Sequence, residues 1–441
     1  MSFLETIRTA WRIMDIRKKI LFTLFIVIIF RIGASLPLPF INSDAIAAFF
    51  SPIEGSSSAE NLLGYLNMLS GNALSKGTVF ALTIQPYINA SIIIQLLTIA
   101  IPYFEKLQKD GGEEGKKKLT QITRFATVIL GLIMSFAYYT ALKSSGSLSV
   151  PTDDAILSGT FYDIFVMLVI MIVLNAGSCL IMWLGESVND KGIGNGISII
   201  LFASIVSRGP EFVMYLVNEI LMGRWYMSIM ILILAVVLLG SIVFMDGAER
   251  RIPIQYAKRQ VGRKMYGGQS SHLPIKVTMT GVMPIIFTFA IVSLPATIGA
   301  FFPDSGYSNF IKANFSQSSL IYIMLTFLLI IAFNYFYISV QYNPTEISNN
   351  IKNNGGTIPG IRPGKPTSDF IVKSLNKVTL FGALFLGIIA VMPLIFGAIF
   401  PSSQGIALGG TSVLIIVSVA LETVKQLESQ MLVRNYKGFL E

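Results

Sequence analysis

The sequence predicts an all-α polytopic membrane fold, with ten transmembrane helices in two inverted halves of five, and three observations carry this. Hydrophobic residues make up 53% of the 441 residues and charged residues only 13%, more apolar material than one water-soluble core needs. Apolar stretches close to the roughly 20 residues that cross a ~30 Å hydrocarbon core recur along the whole length. Basic residues are distributed unevenly among the segments between those stretches.

The stretches fall near 20–38, 79–101, 122–141, 161–184, 193–206, 227–245, 274–296, 319–340, 375–399 and 411–428. The first is not a cleavable signal, because Arg31 interrupts it and no small-residue cleavage site follows. The fifth is short and begins in a glycine-rich run. With the N-terminus inside, the inside segments carry a net charge of +12 and the outside segments −3, out of the total of +9. Basic loops resist translocation, so this asymmetry sets the orientation, with both termini cytoplasmic.

Five spans lie on each side of a polar joint near 207–225. Residues 1–209 and 210–441 are therefore expected as N-terminal and C-terminal halves. Because five is odd, the second half starts from the opposite face, and inverted halves of this kind enclose a pathway near the midplane.

Two inside loops, 246–273 and 341–373, are too long to be turns. The first alternates apolar and polar residues from Glu249 through Tyr266, the pattern of a β-hairpin or paired strands. In the second, the prolines and glycines of Gly355 to Gly364 exclude helix and hold Arg362 on a constrained turn. Outside, the connection 42–78 contains an apolar run from Asn61 to Leu74, half the length of a span. Such a run is either an interfacial helix or a re-entrant piece buried among the others.

The single cysteine, Cys179, and the single histidine, His272, supply neither a disulfide nor a metal cluster. Asp163, Glu186 and Glu422 lie near span ends, and no nucleophile with a base or carboxylate pair lies within the spans. An intramembrane enzyme is therefore not expected, nor is a cofactor. A secondary transporter of a small solute remains the alternative, since inverted repeats and interrupted helices belong to that class too, although ion-coupled carriers usually place carboxylates within their spans.

Four blocks sharpen the reading. They are Phe80 to Ile88 leading into Ser91 to Leu97; Trp183-Leu184-Gly185-Glu186 with Gly192 to Ser198; Tyr256-Ala257-Lys258-Arg259-Gln260 through Ser271 to Pro274; and Pro359-Gly360-Ile361-Arg362-Pro363-Gly364. In this order and spacing the chain resembles the SecY family of bacterial protein-conducting channel subunits, over essentially its whole length.

The resemblance implies an hourglass pore sealed by an aliphatic ring, which excludes ions by dewetting yet deforms around a passing chain. Carried over, the ring comprises Ile84, Ile88, Ile197, Leu201, Ile286 and Ile415. A re-entrant plug helix at about 61–74 would include Leu62, Leu66, Asn67, Met68, Leu69, Ser70 and Gly71, with Asn72 where the family usually has a second glycine. Thr83 likewise replaces a usual glycine. Gln95 and Thr278 fall at polar positions of a lateral gate, where the second and third spans face the seventh and eighth. Arg259, Arg263, Lys264 and Arg362 match positions that dock cytoplasmic partners.

The resemblance further implies a bacterial plasma-membrane location, companion SecE and SecG subunits, a SecA motor, the ribosome with contacts to its RNA, signal sequences and nascent polypeptides, and surrounding lipid. The function it implies is passage of unfolded secretory polypeptides across the membrane and sideways release of transmembrane segments into lipid.

Overall fold

The computed structural model describes residues 3–42, 46, 70–71, 73–109, 111–144, 146–148, 160–256, 259–261, 264–266, 270–301, 305–315, 319–399 and 404–437. Its elements run α1 (Phe3–Arg12), α2 (Met14–Gly33), α3 (Gln85–Ala100), α4 (Pro102–Lys109), α5 (Gly112–Ser144), α6 (Thr160–Lys191), α7 (Gly196–Val206), α8 (Gly209–Leu221) and α9 (Trp225–Asp246). Strands β1 (Glu249–Tyr256), β2 (Arg259–Val261), β3 (Lys264–Tyr266) and β4 (Ser270–Lys276) follow. The chain continues with α10 (Met283–Phe301), α11 (Gly306–Asn314), α12 (Leu320–Gln341), α13 (Pro344–Asn353), β5 (Gly356–Thr357), α14 (Lys365–Ile399) and α15 (Gln404–Lys437).

A helix stands at each of the ten expected spans, and the chain is a multi-pass membrane protein. Among the described residues, six helical runs are long and apolar enough to cross a membrane unaided, and a seventh counts if the bent pair α3–α4 is one span. Outer surfaces are apolar as well: Leu232, Ile233, Val236, Val237 and Val243 of α9, one of the six, are exposed, and so are Leu21, Leu24, Phe25 and Ile28 of α2, which is not among them. A helix hydrophobic all round needs a lipid or protein partner on every side.

Two expected boundaries are corrected, and the polar joint gains an element. The second span begins as helix at Gln85, not 79, because residues 79–84 run as turns in which Thr83 takes a φ of +50°. A β-branched residue with positive φ cannot be part of a right-handed helix. The seventh begins at Met283, not 274, since 270–276 is strand and the next six residues turn, with Gly281 at φ +58°. The polar joint 207–225 is helical over Gly209–Leu221, with Pro210 in the first turn where its missing N–H costs no hydrogen bond.

The two long loops are not independent. β1 pairs antiparallel with β4 from Glu249 opposite Lys276 to Gln255 opposite Ser270, and its last two residues pair with β5, giving the order β4-β1-β5. Ile252, Ile254, Ile275, Ile351, Ile358, Ile371 and Leu375 form one buried cluster beneath that sheet. The second loop also contains a helix, α13, capped by Asn343, whose side-chain oxygen accepts from the Glu346 backbone N–H. This small subdomain lies at the same end of the bundle as α1 and the last turns of α15. There Ala10 and Ile16 pack with Leu427 and Met431, and Lys19 donates to Gln430 at 3.2 Å.

At the opposite end, the chain before α3 folds back on the exit of α2. The Leu38 N–H donates to the Gly77 carbonyl at 2.8 Å and the Val79 N–H to the Leu36 carbonyl at 3.0 Å. Residues 73–84 thereby enter the bundle as a tight descending connection, held by the buried Tyr138 hydroxyl donating to the Leu74 carbonyl at 2.8 Å.

Candidate functional site

One apolar core runs through both halves. Its buried members include Ile26 and Phe30 of α2, Ile88 and Ile92 of α3, Ile200 and Leu201 of α7, Phe287, Phe289 and Ala290 of α10, Phe333 of α12 and Ile415 of α15. At its centre lies a small void between the halves, lined by Gln85, Ile88, Leu201, Ile286, Phe289, Ala290 and Ile415. The space open to a water-sized sphere there is about 10 Å³, no more than one water needs. The centre of the molecule is thus closed and almost entirely hydrocarbon.

Local sequence explains how these side chains converge. Gly194 takes a φ of +84°, and Asn195 caps α7 by accepting from the Ile197 N–H at 3.1 Å. The Gly196 N–H donates to Asn189 Oδ1 at 2.7 Å, and the Gly185 carbonyl leaves no room for a Cβ at Gly196. Helices α6 and α7 can therefore touch backbone to backbone, which sets the depth of Leu201. Gly177 of α6 admits the Val79 carbonyl in the same way, and the Ser178 hydroxyl donates to the Thr83 carbonyl at 3.2 Å. These contacts hold the turn from which α3 begins.

Of the six expected ring residues, Ile88, Leu201, Ile286 and Ile415 line the void. Ile84 does not; it caps α3 and packs with Ile200 over Gly185, fully buried. Ile197 packs against the core without lining the void. Gln85, Phe289 and Ala290, absent from the expected set, do line it. A helical count would have found them, since 289 and 290 follow Ile286 by three and four, and Gln85 precedes Ile88 by three.

Leu62, Leu66, Asn67, Met68 and Leu69 of the expected plug lie outside the described residues, as does Asn72. Ser70 and Gly71 are described. Gly71 has a φ of +63°, and a Cβ there would stand 2.7 Å from the Ser204 carbonyl oxygen of α7. Arg31 at the end of α2 donates to Ser207 at 3.1 Å, which fixes the neighbouring end of the same helix.

The halves also meet along a seam where α10 lies against α3 and α5. Gln95 is half-buried on α3, and its carbonyl accepts from the Thr98 hydroxyl at 2.6 Å. The Thr278 hydroxyl donates to Asp246 Oδ1 at 3.3 Å. Asp246 in turn pairs with Lys425 of α15, whose ammonium also donates to the Asp246 carbonyl at 3.2 Å. Neither Asp246 nor Lys425 stood out in the sequence, where each reads as an interfacial charge.

On the protruding subdomain, Arg362 is exposed, and its carbonyl accepts from the Thr367 hydroxyl at 2.8 Å between Gly360 (φ +78°) and Gly364 (φ +102°). The backbone register places Arg259 opposite Tyr266 and Lys264 opposite Val261 on the β2–β3 ladder. Arg263 lies outside the described residues.

A sequence model of the SecY family matches residues 78–424. The chain is 40% identical to the protein translocase subunit SecY of Streptomyces galbus, over 98% of each chain. It is also 40% identical to that of Mycobacterium bovis, over 100% of this chain and 99% of the relative. Among solved structures, it resembles a protein-conducting channel with a TM-score of 0.65 at 17% identity, covering 94% of this chain and 92% of that one. A second resemblance is to Sec61 in the canine ribosome-channel complex, with a TM-score of 0.61 at 16% identity and the same coverage. These likenesses support a protein-conducting channel and leave the carrier reading without support. The chain belongs to the SecY family and is a protein-conducting channel subunit, not an enzyme.

Proposed function

We propose that the void between the halves is the resting constriction through which unfolded secretory polypeptides pass, and that Ile88, Leu201, Ile286 and Ile415 form its seal. The carrying observation is the closure itself: four aliphatic side chains from α3, α7, α10 and α15 converge on a space of about 10 Å³. A dry neck walled mostly by hydrocarbon excludes hydrated ions because its aliphatic wall groups cannot replace their water. Aliphatic side chains also offer a passing peptide no fixed hydrogen bonds, so the neck can widen around any sequence. In this reading Ile84 and Ile197 support the ring from behind, residues 1–209 and 210–441 are its two walls, and the run at about 61–74 is the plug.

The seam of α10 against α3 and α5 serves as the lateral gate, with Gln95 and Thr278 as its polar members. A sufficiently apolar segment leaves through it into lipid, as transfer energies dictate. The protein works in the bacterial plasma membrane with both termini cytoplasmic, in line with the charge asymmetry of the sequence. The subdomain bearing Arg259, Arg263, Lys264 and Arg362 then faces the cytoplasm. It docks the SecA motor or the ribosome, with companion SecE and SecG subunits in the membrane.

Photocrosslinking from position 88 to a secretory chain stalled in mid-transfer tests the path. An adduct that depends on the stalled chain is expected. Adducts arising only from lipid-facing positions such as Ile229 would move the path elsewhere.

A further inference from the structure

The central void has walls of two kinds, and the difference bears on how it holds out ions. Four lining residues are aliphatic, and Ala290 is small. Phe289 and Gln85 are the other two, an aromatic ring from α10 and a primary amide from α3. Phe289 is 3% exposed and belongs to the continuous core. Gln85 is only 7% exposed, and its amide brings two donors and an acceptor to the wall of an otherwise apolar space.

Water enters a cavity only if the space is large enough and something in it hydrogen-bonds. An apolar cavity of even about 150 Å³ stays dry, whereas a polar wall group gives the first water a partner, and that water serves the next. With an amide already present, dryness here depends on volume alone. Phe289 is the bulkiest side chain lining the space.

We propose that Phe289 is an additional sealing residue, whose ring fills the constriction so that the Gln85 amide cannot start a file of water across it. This rests on the constriction reading above. Its distinctive consequence is a coupling: truncating Phe289 opens a wet space while Gln85 is present, but a dry one once Gln85 is made apolar.

Resting ion conductance of the purified translocase complex in planar bilayers tests this, with Ile88→Ser as the reference leak. Phe289→Ala is expected to raise resting conductance several-fold, and Phe289→Leu, which keeps most of the volume, much less. In a Gln85→Leu background the same Phe289→Ala change should raise it far less. Precursor transport by each variant shows that the complex is folded, and Phe289→Val replaces Phe289→Ala should the latter fail to accumulate. A leak from Ile88→Ser with none from Phe289→Ala or Phe289→Val overturns the role of Phe289 and leaves the aliphatic seal standing. Equal leaks in both backgrounds overturn the part assigned to Gln85. Silence from all of them, Ile88→Ser included, removes the constriction itself.

Discussion

The Thr278 hydroxyl and the Asp246 carboxylate meet at 3.3 Å, so the residue assigned to the gate is tied to the end of α9 and not left loose at the helix seam. Lys425 holds the other oxygen of the same carboxylate. The side chains of Asp246 and Lys425 are 24% and 40% exposed, so the pair is screened by water and contributes no more than about 1 kcal/mol. That is enough to bias a gate whose two states differ by a few kcal/mol. Asp246→Ala is expected to ease opening and increase export of a precursor with a weakened signal sequence. Asp246→Asn, which keeps an acceptor for Thr278, should do so less. Equal export by the two variants and the parent would show that the contact does not restrain the gate.

Thr83 gives a second prediction. Its φ of +50° is the left-handed conformation, which costs an L-residue about 1–2 kcal/mol and is least tolerable for a β-branched one. Glycine adopts it freely but loses more entropy on folding, about 0.5–1 kcal/mol. Thr83→Gly should therefore stabilise by about 1 kcal/mol or less. The Ser178 hydrogen bond to the carbonyl of residue 83 needs no side chain there and should survive. Thermal unfolding in detergent measures the effect, and a lower Tm for Thr83→Gly than for Thr83→Ala would contradict the backbone argument.

These two cases show what the sequence revealed and what it concealed. Hydropathy located a helix at each of ten places, because crossing lipid demands a long apolar run whatever the tertiary contacts. It misplaced the starts of α3 and α10, since the apolar runs take in residues 79–84 and 277–282, which are turns in which Thr83 and Gly281 have positive φ. Pattern gave strands in the first long loop, yet pairing of Gln255 with Thr357 is a contact across about a hundred residues that no local signal encodes. At the site, Ile88 and Ile286 could be recognised only through the family motif. Phe289 was missed because motif reading follows named positions, whereas the void selects whatever shares the helical face.

The shared sheet turns two loops into one mechanical unit, which leads to a third prediction. Ile358 is 4% exposed and lies in the cluster with Ile252 and Ile254 of β1. Ile358→Ala should loosen that subdomain by about 2–4 kcal/mol and lower precursor transport without touching any of the basic residues proposed to dock a partner. Arg362→Glu, on the exposed turn, should lower transport with no such loosening. Limited proteolysis separates the two, with faster cleavage near residues 355–364 expected only for Ile358→Ala. Equal protease resistance in both variants would mean that the cluster does not brace the turn.

The fourth prediction concerns the aliphatic residues of the neck. Ile88 and Leu201 are 5% and 2% exposed and face each other's helices across the void with Ile286 and Ile415. Replacing Ile88 or Ile286 by serine removes hydrocarbon and installs a hydroxyl that hydrogen-bonds water, so both conditions for wetting change together. Each single variant should raise resting conductance, and the double variant should exceed the sum, because the first water admitted by one hydroxyl lowers the cost of the next. Bulky aliphatic replacements such as Ile88→Leu should leave it unchanged, since they preserve volume and polarity. Unchanged conductance in Ile88→Ser, Ile286→Ser and the double variant would mean that these aliphatic side chains do not seal the neck.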